Sequence, residues 1–537
     1  MVIAPLTRPH PDLPFAPTAP ALIRWSTATF ADQELVVLGD DRLRFDEAGA
    51  RSAALAGSLL AEGVGKGTRV GVLAPNGPDA YVALMAVTRI GAVAVPINTF
   101  FVASELAWVL DDADVEVLLT VPSLLGNDYV ARLEEAVTGL RDQTGPELAL
   151  DSLPFLRRVH VLGGSDRPWA APLPEPASEA RLAAAEARVM PADDHFVIYT
   201  SGSTARPKGV IHTHAPTIRQ AWFIASQHDW GEGDRVYVPL PFFWIGGLQY
   251  AYLASLQFGW TAICETRFDP GETLRLLGRE RVTATLGWPH VGPALAGHPD
   301  FATTDLSRLK GPYHWELLAP DVRMPDPGLQ VYPLGMSETA TSHTWWPAEL
   351  PLAPDKRGSV GQPAPGWDHK IVDGTGDEVP VGVDGEICVR GGSLMRGIIG
   401  RERHETFDAD GYYHTGDAGH FDEDGFLYFI GRMGDLVKTA GASVSPVEVE
   451  AVLLAMPEVR EASVVGLPDD EIGQRVCGVV VLHDGASLDA DELRARCRQD
   501  LSAYKVPKQW VFLGLDEVPY GASDKVDKAR LIEQLTT

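Results

Sequence analysis

The sequence predicts an α/β fold: a large N-terminal domain of α/β layers with a β-rich subdomain, then a small, mobile α+β C-terminal domain. Three observations support this prediction. The chain has 537 residues, which is long for one domain. Helix-period segments alternate with short apolar segments in its first part, and glycine-punctuated short strands dominate residues 356–432. Beyond Gly434 the pattern resets, so the domains are predicted at 1–432 and 433–537.

The alternation is clearest in the first part of the chain. Apolar residues recur with the helical period near 46–62 and again near 78–90, which predicts two helices. Short apolar runs between and after them predict buried strands, and this order of elements is typical of a layer of parallel strands. Residues 164–190 are small, polar and proline-rich, so we expect a surface connection there. The predicted strands are "RVGVLA", "AVAVPI", "VEVLLT" and "RRVHVLG".

Shorter strands are predicted in the second half. Two of them, in "RVTATLGWPH" and "GLQVYPLGMSET", should end in loops. The β-rich subdomain contributes "HKIVD", "GEICVRG" and "FLYFIGR". In the C-terminal domain, the Ser445–Pro446 pair predicts the start of a helix, because proline is favoured at the first helical position. Two strands and a further helix are expected after it.

Composition excludes several classes of function. The net charge is −28, and such an acidic surface repels nucleic-acid phosphates and anionic lipid. No run of about 18 apolar residues occurs, so stable membrane insertion is not expected. We expect a cytoplasmic location instead. The cysteines show no close-spaced zinc or redox pattern and are predicted to be reduced core thiols. They are Cys264, Cys388, Cys477 and Cys497.

The segment "YTSGSTARPKG", residues 199–209, has the composition of a phosphate-binding loop. Backbone N–H groups of a glycine-rich turn, helped by hydroxyls, cradle phosphate oxygens, and a lysine adds positive charge. The spacing differs from the Walker A pattern. A serine- and threonine-rich turn between two elements is the alternative interpretation. The candidate ligands are Thr200, Ser201, Gly202, Ser203, Thr204 and Lys208.

Three further segments carry candidate nucleotide-site residues. Glu338 and Thr339 follow a predicted strand in "YPLGMSETA", and a carboxylate there suits Mg²⁺ bound to phosphate oxygens. Asp417 lies between glycines, where it can accept from ribose hydroxyls, and Arg432 can reach phosphate or ribose. Lys525 lies on a glycine- and serine-containing loop near the C-terminus. Taken singly, each has an ordinary alternative: a solvated loop end, a turn, a surface ion pair or a solvated lysine.

Together, in this order and spacing, the segments resemble the adenylate-forming superfamily of acyl-CoA synthetases, carrier-loading adenylation domains and beetle luciferases. The pattern is most similar to bacterial fatty-acid or aryl acyl-CoA ligases, over about residues 25 to 533. The resemblance implies a two-step reaction. A carboxylate attacks the α-phosphate of ATP, giving acyl-AMP and pyrophosphate, and a thiol, usually that of CoA, then displaces AMP.

The resemblance also implies roles for individual residues. The loop and Glu338 with Mg²⁺ would hold the phosphates, and Thr339 would contact the α-phosphate of ATP or AMP. Asp417 would bind the ribose, with Arg432 nearby, and Lys525 would bridge carboxylate and phosphate. The small domain would rotate about a hinge near Gly434 between the two steps. Gly441 would then line the CoA pantetheine channel.

The acyl pocket is expected, by the same resemblance, between the helix after Trp244 and the strands that end near Trp288 and Gly335. Trp244 would also gate the pantetheine tunnel, with a core aromatic as the alternative. Glycines at 246 and 247 would leave room, and no lysine or arginine is present there to pair with a second charge. A hydrophobic, uncharged carboxylic acid is therefore the expected substrate. The candidate pocket residues are Trp244, Gly247, Trp288, Gly335 and Met336.

The sequence departs from the family pattern at several adenylation positions. Ala205 replaces a loop glycine, Asp524 replaces a glycine before Lys525, and Leu334 stands where an aromatic ring usually stacks on adenine. The stretch "LKGPYHWELL" lacks the small residues usual in the purine pocket. We therefore expect an acyl-CoA ligase whose thioesterification half-reaction is better supported than its adenylation, with thioesterification of an adenylate made by a separate enzyme as the limiting case.

Other functions remain as alternatives at this point. They are a complete ATP-dependent acyl-CoA ligase, an enzyme that loads a carrier protein, and a non-catalytic acyl- or nucleotide-binding protein. Whether the chain forms a homodimer is left open as well.

Overall fold

A computed structural model describes residues 12–124, 126–200, 207–288, 291–311, 313–347, 350–439, 442–469, 472–501, 505–521 and 525–536. The described residues form two compact units. The large unit contains residues 12–367 and 391–406, and the small unit contains 368–390 and 407–536. The predicted domain boundary at residue 433 stays a prediction.

The helices begin and end close to the predicted positions. The helix predicted near 46–62 spans Phe45–Ala61, and the one near 78–90 spans Pro78–Arg89. In chain order the helices are α1 (Ala19–Thr29), α2 (Phe45–Ala61), α3 (Pro78–Arg89), α4 (Ala103–Asp112), α5 (Tyr129–Ala136), α6 (Glu179–Glu186), α7 (His214–Ala225), α8 (Ala254–Phe258), α9 (Pro270–Arg279), α10 (Val291–Ala296), α11 (Arg403–Thr406), α12 (Pro446–Leu454), α13 (Ala490–Asp500) and α14 (Lys528–Thr536).

The strands are mostly short. In chain order they are β1 (Glu34–Leu38), β2 (Asp41–Arg44), β3 (Arg69–Leu73), β4 (Val93–Pro96), β5 (Val117–Thr120), β6 (Ser123–Leu124), β7 (Asn127–Asp128), β8 (Arg158–Val161), β9 (Asp194–Thr200), β10 (Lys208–Thr213), β11 (Arg235–Tyr237), β12 (Thr261–Cys264), β13 (Ala284–Thr285), β14 (Gly335–Met336), β15 (Thr341–Ser342), β16 (Thr344–Trp345), β17 (Gln362–Pro363), β18 (Trp367–Val372), β19 (Gly385–Gly391), β20 (Gly397–Ile398), β21 (Tyr413–Phe421), β22 (Leu427–Arg432), β23 (Val437–Thr439), β24 (Ala442–Val444), β25 (Val459–Asp469), β26 (Gly473–Leu482) and β27 (Gln509–Phe512).

The large unit is built on two sheets. Over the described residues, one sheet has the strand order β20-β10-β9-β4-β3-β5-β8, and the other has the order β13-β11-β12-β1-β2. Strands β3, β4, β5, β8 and β9 pair in parallel, whereas β10 runs antiparallel to β9. The inner strands are apolar on both faces, as helix-covered parallel strands must be. The predicted α/β layer is therefore confirmed.

One expectation about the large unit is incomplete and another is wrong. The connection 164–190 is mostly exposed, as expected, but it also contains α6, because Ser178 caps an alanine-rich segment with strong helix propensity. The last residue of α6, Glu186, is buried and pairs with Arg89 at 2.6 Å. The strand predicted in 328–339 is reduced to Gly335–Met336, because Pro327–Leu329 forms a 3₁₀ turn and the following residues make no ladder in the described structure.

The small unit has an α+β organisation. Strands β18-β19-β21-β22 form one antiparallel sheet, and β24-β23-β26-β25 with β27 form another, on which α12 and α14 contact β25. Helix α12 starts as predicted, since Pro446 occupies its first turn and the Ser445 hydroxyl accepts from Glu448 N. All four cysteines of the chain are buried, without disulfides, as expected. No helix among the described residues is long and apolar enough to cross a membrane.

Candidate active site

The phosphate-loop candidate connects two paired strands of the large unit. Strands β9 and β10 are antiparallel, and Thr200 pairs directly with Lys208. The strand pair thus holds the two ends of the loop side by side. Other predicted loop residues lie outside the described residues, as does the substituted position Ala205. They are Ser201, Gly202, Ser203 and Thr204.

Lys208, the first residue of β10, forms a close ion pair with Glu338. Lys208 Nζ lies 2.5 Å from Glu338 Oε1, and the side chains are 26% and 7% exposed. Burial of a lone carboxylate costs several kcal/mol, so Glu338 requires a cationic partner. A triphosphate entering beside Lys208 would compete for this ammonium group. The carboxylate would then be available to an oxygen-seeking cation, so these residues fit Mg²⁺ and a nucleotide.

A second residue of β10 holds the turn that carries Glu338. His212 Nε2 donates to the carbonyl of Ser337 at 2.7 Å, and Met395 N donates to the carbonyl of Glu338 at 2.8 Å. Burial lowers the pKa of His212 to about 4, so the imidazole is neutral near pH 7. Lys208 and His212 share one face of the strand. Sequence reasoning missed His212 because the contact joins residues 125 positions apart.

The turn itself is strained. Ala340 has φ 53° and Thr341 has φ 115°, which is an outlier for a β-branched residue. A Cβ on Gly335 would lie 2.3 Å from the Thr341 carbonyl oxygen, so the pairing of β14 with β15 requires glycine there. The Thr339 hydroxyl is buried and bonds to Thr341 O at 2.5 Å and Met336 N at 3.2 Å. Its predicted phosphate contact would therefore need a rearrangement.

Predicted acyl-site aromatics lie together in the large unit. Trp244 and Trp288 pack edge to face with ring centroids 6.1 Å apart. Phe243 packs on Trp244 at 5.3 Å, and the exposed Phe100 packs on Phe243 at 5.7 Å. His314 Nε2 donates to the carbonyl of Trp288 at 3.0 Å and so fixes its backbone. Phe100 and His314 were not predicted.

The segment after Trp244 forms a π-helical turn, Gly247–Leu253, a form that often marks functional sites. A Cβ on Gly247 would lie 2.1 Å from the Pro241 carbonyl oxygen. Glycine is thus required there by close backbone packing, and the expectation that Gly247 leaves room for substrate is wrong. At Gly246, by contrast, the nearest atom is Leu240 Cδ1 at 3.9 Å. Gln249 is fully buried, and neither of its amide atoms finds a hydrogen-bond partner among the described residues.

The predicted adenine-stacking position is partly exposed. Leu334 is fixed by its backbone, since its N–H donates to Thr344 Oγ1 at 2.7 Å and its carbonyl accepts from His343 N at 2.9 Å. Met336, two residues on, is also partly exposed. Leucine supplies an apolar surface there, but no aromatic face for a purine.

The small unit carries the predicted ribose-binding residues. Asp417 and Arg432 are directly opposed on β21 and β22, and Arg432 Nε lies 2.9 Å from Asp417 Oδ1. Arg432 also donates to the carbonyl of Thr415 at 2.9 Å. Gly416, with φ 71°, lies inside β21 directly before Asp417, where the register of the β19–β21 pairing shifts. The aspartate is almost fully buried, whereas the Arg432 side chain is 54% exposed.

Lys525 lies on an exposed loop of the small unit. Gly521 N donates to its carbonyl at 2.8 Å, and Tyr520 bridges to Val526, so the two ends of this loop are tied together. The substituted Asp524 and the predicted channel residue Gly441 lie outside the described residues. At the predicted hinge, a Cβ on Gly434 would meet no atom within 4 Å in the described part of the chain.

Known proteins resemble the whole chain. It matches the AMP-binding enzyme family over residues 23–399 and the AMP-binding enzyme C-terminal domain over 448–525. A feruloyl-CoA synthase of an Amycolatopsis species is 33% identical over 508 residues, which cover 92% of this chain and 94% of that protein. The long-chain-fatty-acid–CoA ligase of Bacillus subtilis (strain 168) is 30% identical over 540 residues, with coverages of 97% and 95%.

A solved structure supports the same assignment. The o-succinylbenzoate coenzyme A synthetase of Bacillus subtilis, in complex with ATP and magnesium ion, has a TM-score of 0.75 and 26% identity. The match covers 95% of this chain and 98% of that chain. The motifs, the fold and these relatives agree, and the chain therefore belongs to the AMP-binding, adenylate-forming enzyme family, as an acyl-CoA synthetase.

Proposed function

We propose that the enzyme joins a hydrophobic, uncharged carboxylic acid to CoA through an acyl-adenylate, and that adenylation is the weaker of its two half-reactions. The observation that carries the proposal is the ion pair between Lys208 and the buried Glu338 carboxylate, beside the candidate phosphate loop. A structural ion pair alone has no need of a strained turn, yet Glu338 lies two residues before Ala340 and three before Thr341. Strain of this kind is concentrated at functional sites.

The first half-reaction needs positive charge around the triphosphate. A carboxylate oxygen attacks the α-phosphorus of ATP, and pyrophosphate leaves with the electrons of the broken P–O bond. Lys208 would neutralise phosphate oxygens, and Lys525 would draw the carboxylate and the α-phosphate together. Glu338 would hold Mg²⁺, which supplies further charge neutralisation when bound. Asp417 would accept from the ribose hydroxyls.

The second half-reaction makes the thioester. The CoA sulfur attacks the acyl carbonyl carbon, AMP leaves, and the thiol proton is released to solvent or to the leaving phosphate. Trp244 would border the path of the pantetheine arm, and Gly441 would line it. Domain rotation near Gly434 would exchange the residues that face the adenylate, which lets one pocket serve both steps.

The aromatic row favours an acid with a flat or extended apolar body. The row consists of four rings, each packed on the next: Phe100, Phe243, Trp244 and Trp288. Such surfaces bind rings by offset or edge-to-face packing worth about 0.5–1.5 kcal/mol per pair. One relative is named for feruloyl-CoA and another for long-chain fatty acids, which supports a hydrophobic acid of either form.

Separate assays of the two half-reactions test the proposal. With a panel of hydrophobic acids, we expect thioester formation from the synthetic acyl-adenylate and CoA to be faster than acid-dependent pyrophosphate exchange with ATP and Mg²⁺. Leu334→Tyr should raise the exchange rate, since base stacking is worth about 1–3 kcal/mol, and should leave thioesterification nearly unchanged. Equal rates in the wild type, with no gain in Leu334→Tyr, would show an ordinary complete ligase. Exchange that is absent altogether would indicate a separate adenylating enzyme.

A further inference from the structure

Three potential metal ligands meet on the antiparallel sheet of the small unit. Glu386 and Cys388 lie on β19, and His414 lies opposite Cys388 on β21. His414 Nδ1 is 2.8 Å from Glu386 Oε2 and 3.4 Å from Cys388 Sγ. All three ligand atoms lie within 4.8 Å of one another, and no other set of this kind occurs in the described part of the chain.

The distances between these atoms suit a tetrahedral ion. With Zn–S near 2.3 Å and Zn–N near 2.0 Å, the sulfur and nitrogen ligands of zinc lie about 3.5 Å apart, close to the observed Cys388–His414 distance. The Glu386–His414 distance would have to open by about half an ångström. That is the change expected when a metal ion replaces the proton of a hydrogen bond. We propose that Glu386, Cys388 and His414 form a binding site for a thiophilic divalent cation such as Zn²⁺.

Neighbouring groups already orient the ligands. Gly416 N donates to Glu386 Oε1 at 3.0 Å, which leaves Oε2 directed at His414. Behind the imidazole, Asp408 Oδ2 lies 3.9 Å from His414 Nε2, while Lys370 Nζ holds the aspartate at 2.6 Å. With a metal on Nδ1, the ring proton resides on Nε2 and faces this carboxylate. A carboxylate behind a ligating histidine is the usual outer partner of protein zinc sites.

The donor set selects among metals. A thiolate, an imidazole and one carboxylate favour zinc, cobalt or cadmium over magnesium and calcium, which prefer oxygen ligands alone. His414 is partly exposed, so an ion can reach the site from solvent, and a water molecule would complete four-coordination. The competing interpretation is a plain Glu386–His414 ion pair with Cys388 packed against it. That arrangement would bind no metal.

Cobalt titration of the tag-free, full-length chain separates the two interpretations. In excess Mg²⁺, we expect one equivalent of Co²⁺ to bind with the thiolate-to-cobalt charge-transfer absorption in the near ultraviolet, and Zn²⁺ to abolish the band. Cys388→Ser should lose the band, and His414→Asn should weaken binding at least about tenfold. The matched control is Cys477→Ser, another buried cysteine of the same unit, which should keep the band.

Two results would overturn the proposal. The first is a wild-type chain that shows no such band up to millimolar Co²⁺. The second is a band that persists in Cys388→Ser. Thermal unfolding of each variant checks that it is folded. Because His414 is partly exposed, His414→Asn remains a usable variant if Cys388→Ser, at a fully buried position, does not fold.

Discussion

At the scale of single residues, the Lys208–Glu338 pair links stability to the proposed chemistry. Lys208→Met leaves a buried carboxylate without its cation, and we expect the free energy of unfolding to fall by about 1–3 kcal/mol. Glu338→Gln removes the buried negative charge instead of leaving it without a partner, so it should lower the free energy of unfolding by less than Lys208→Met does. Both variants should lose adenylation if the proposed roles hold, since one removes the proposed phosphate neutralisation and the other the proposed Mg²⁺ ligand. Urea unfolding and pyrophosphate exchange measure the two effects.

The double variant Lys208→Met/Glu338→Gln provides the control. If the cost of Lys208→Met comes from the isolated carboxylate, the double variant should be more stable than Lys208→Met alone. If the double variant instead loses as much unfolding free energy as the two single variants together, the isolated carboxylate is not the cause of the instability of Lys208→Met.

Gln249 allows a second test at this scale. Both of its amide atoms are buried without partners in the described structure, which costs about 1–3 kcal/mol. We expect Gln249→Leu to raise the free energy of unfolding by about that amount. Gln257→Leu is the matched control: Gln257 donates to Ile218 O at 2.8 Å, so its loss should not stabilise the protein. A Gln249→Leu variant that is no more stable than the wild type would contradict this account of its buried amide.

The candidate site residues that the sequence predicts are those inside motifs. Lys208, Glu338 and Asp417 could be named because each lies in a short segment of distinctive composition. His212 and the Cys388–His414 contact could not, since they depend on which strands pair and in which register. The cysteine spacing indicated only core thiols, yet strand pairing brings one of them beside a histidine.

At the scale of elements, helix α4 anchors residues on both sides of the candidate phosphate loop. Trp108 Nε1 donates to the Pro207 carbonyl at 3.2 Å, and Tyr199 donates to Asp112 Oδ2 at 2.6 Å. Residues 108 and 112 are one turn apart, so one face of α4 makes both contacts. We expect Trp108→Phe to weaken ATP binding by about fivefold, as loss of one hydrogen bond is worth about 1 kcal/mol.

Isothermal calorimetry with ATP and Mg²⁺ measures this effect, and Trp169→Phe is the matched control. Trp169 is buried and donates to Glu134 Oε1 at 3.2 Å, near β8 at the opposite edge of the sheet. That variant should lose comparable stability but keep its affinity for ATP. Equal losses of affinity in both variants would mean that α4 has no specific role in positioning the loop.

Elements with strong local signals were predictable from the sequence. Helices α2, α3 and α12 have apolar periodicity and favourable first-turn residues, and the buried parallel strands are continuous apolar runs. Residues 328–339 have no such signal. Their conformation is set by a tertiary hairpin, in which Gly335 approaches the Thr341 backbone. This explains why the strand predicted there is almost absent, and the roles predicted for its site residues stay predictions.

At the scale of the whole molecule, buried neutral histidines couple folding to pH. Burial lowers the pKa of His212 to about 4, and that of His214 and of His369 to about 3. In the unfolded chain a histidine titrates near 6.5. Between these values the unfolded state binds more protons than the folded state, so stability rises with pH. The free energy of unfolding should therefore fall as the pH is lowered from about 6.5 toward 4.

The contribution of His214 to this pH dependence can be measured separately. Its Nδ1 accepts from Ala19 N at 3.2 Å, and the oxygen of an asparagine can accept the same bond without titrating. Each such histidine contributes up to about 1.4 kcal/mol per pH unit within its window. We expect His214→Asn to reduce the slope of the unfolding free energy against pH by up to that amount between about pH 6 and 5. In this range the histidine of the unfolded chain is mostly protonated, while His214 in the folded chain is still neutral. His404→Asn, at an exposed position, is the matched control for the loss of a histidine. If His214→Asn leaves the slope unchanged, His214 takes up its proton without unfolding, and the acid sensitivity of the chain must come from other buried groups.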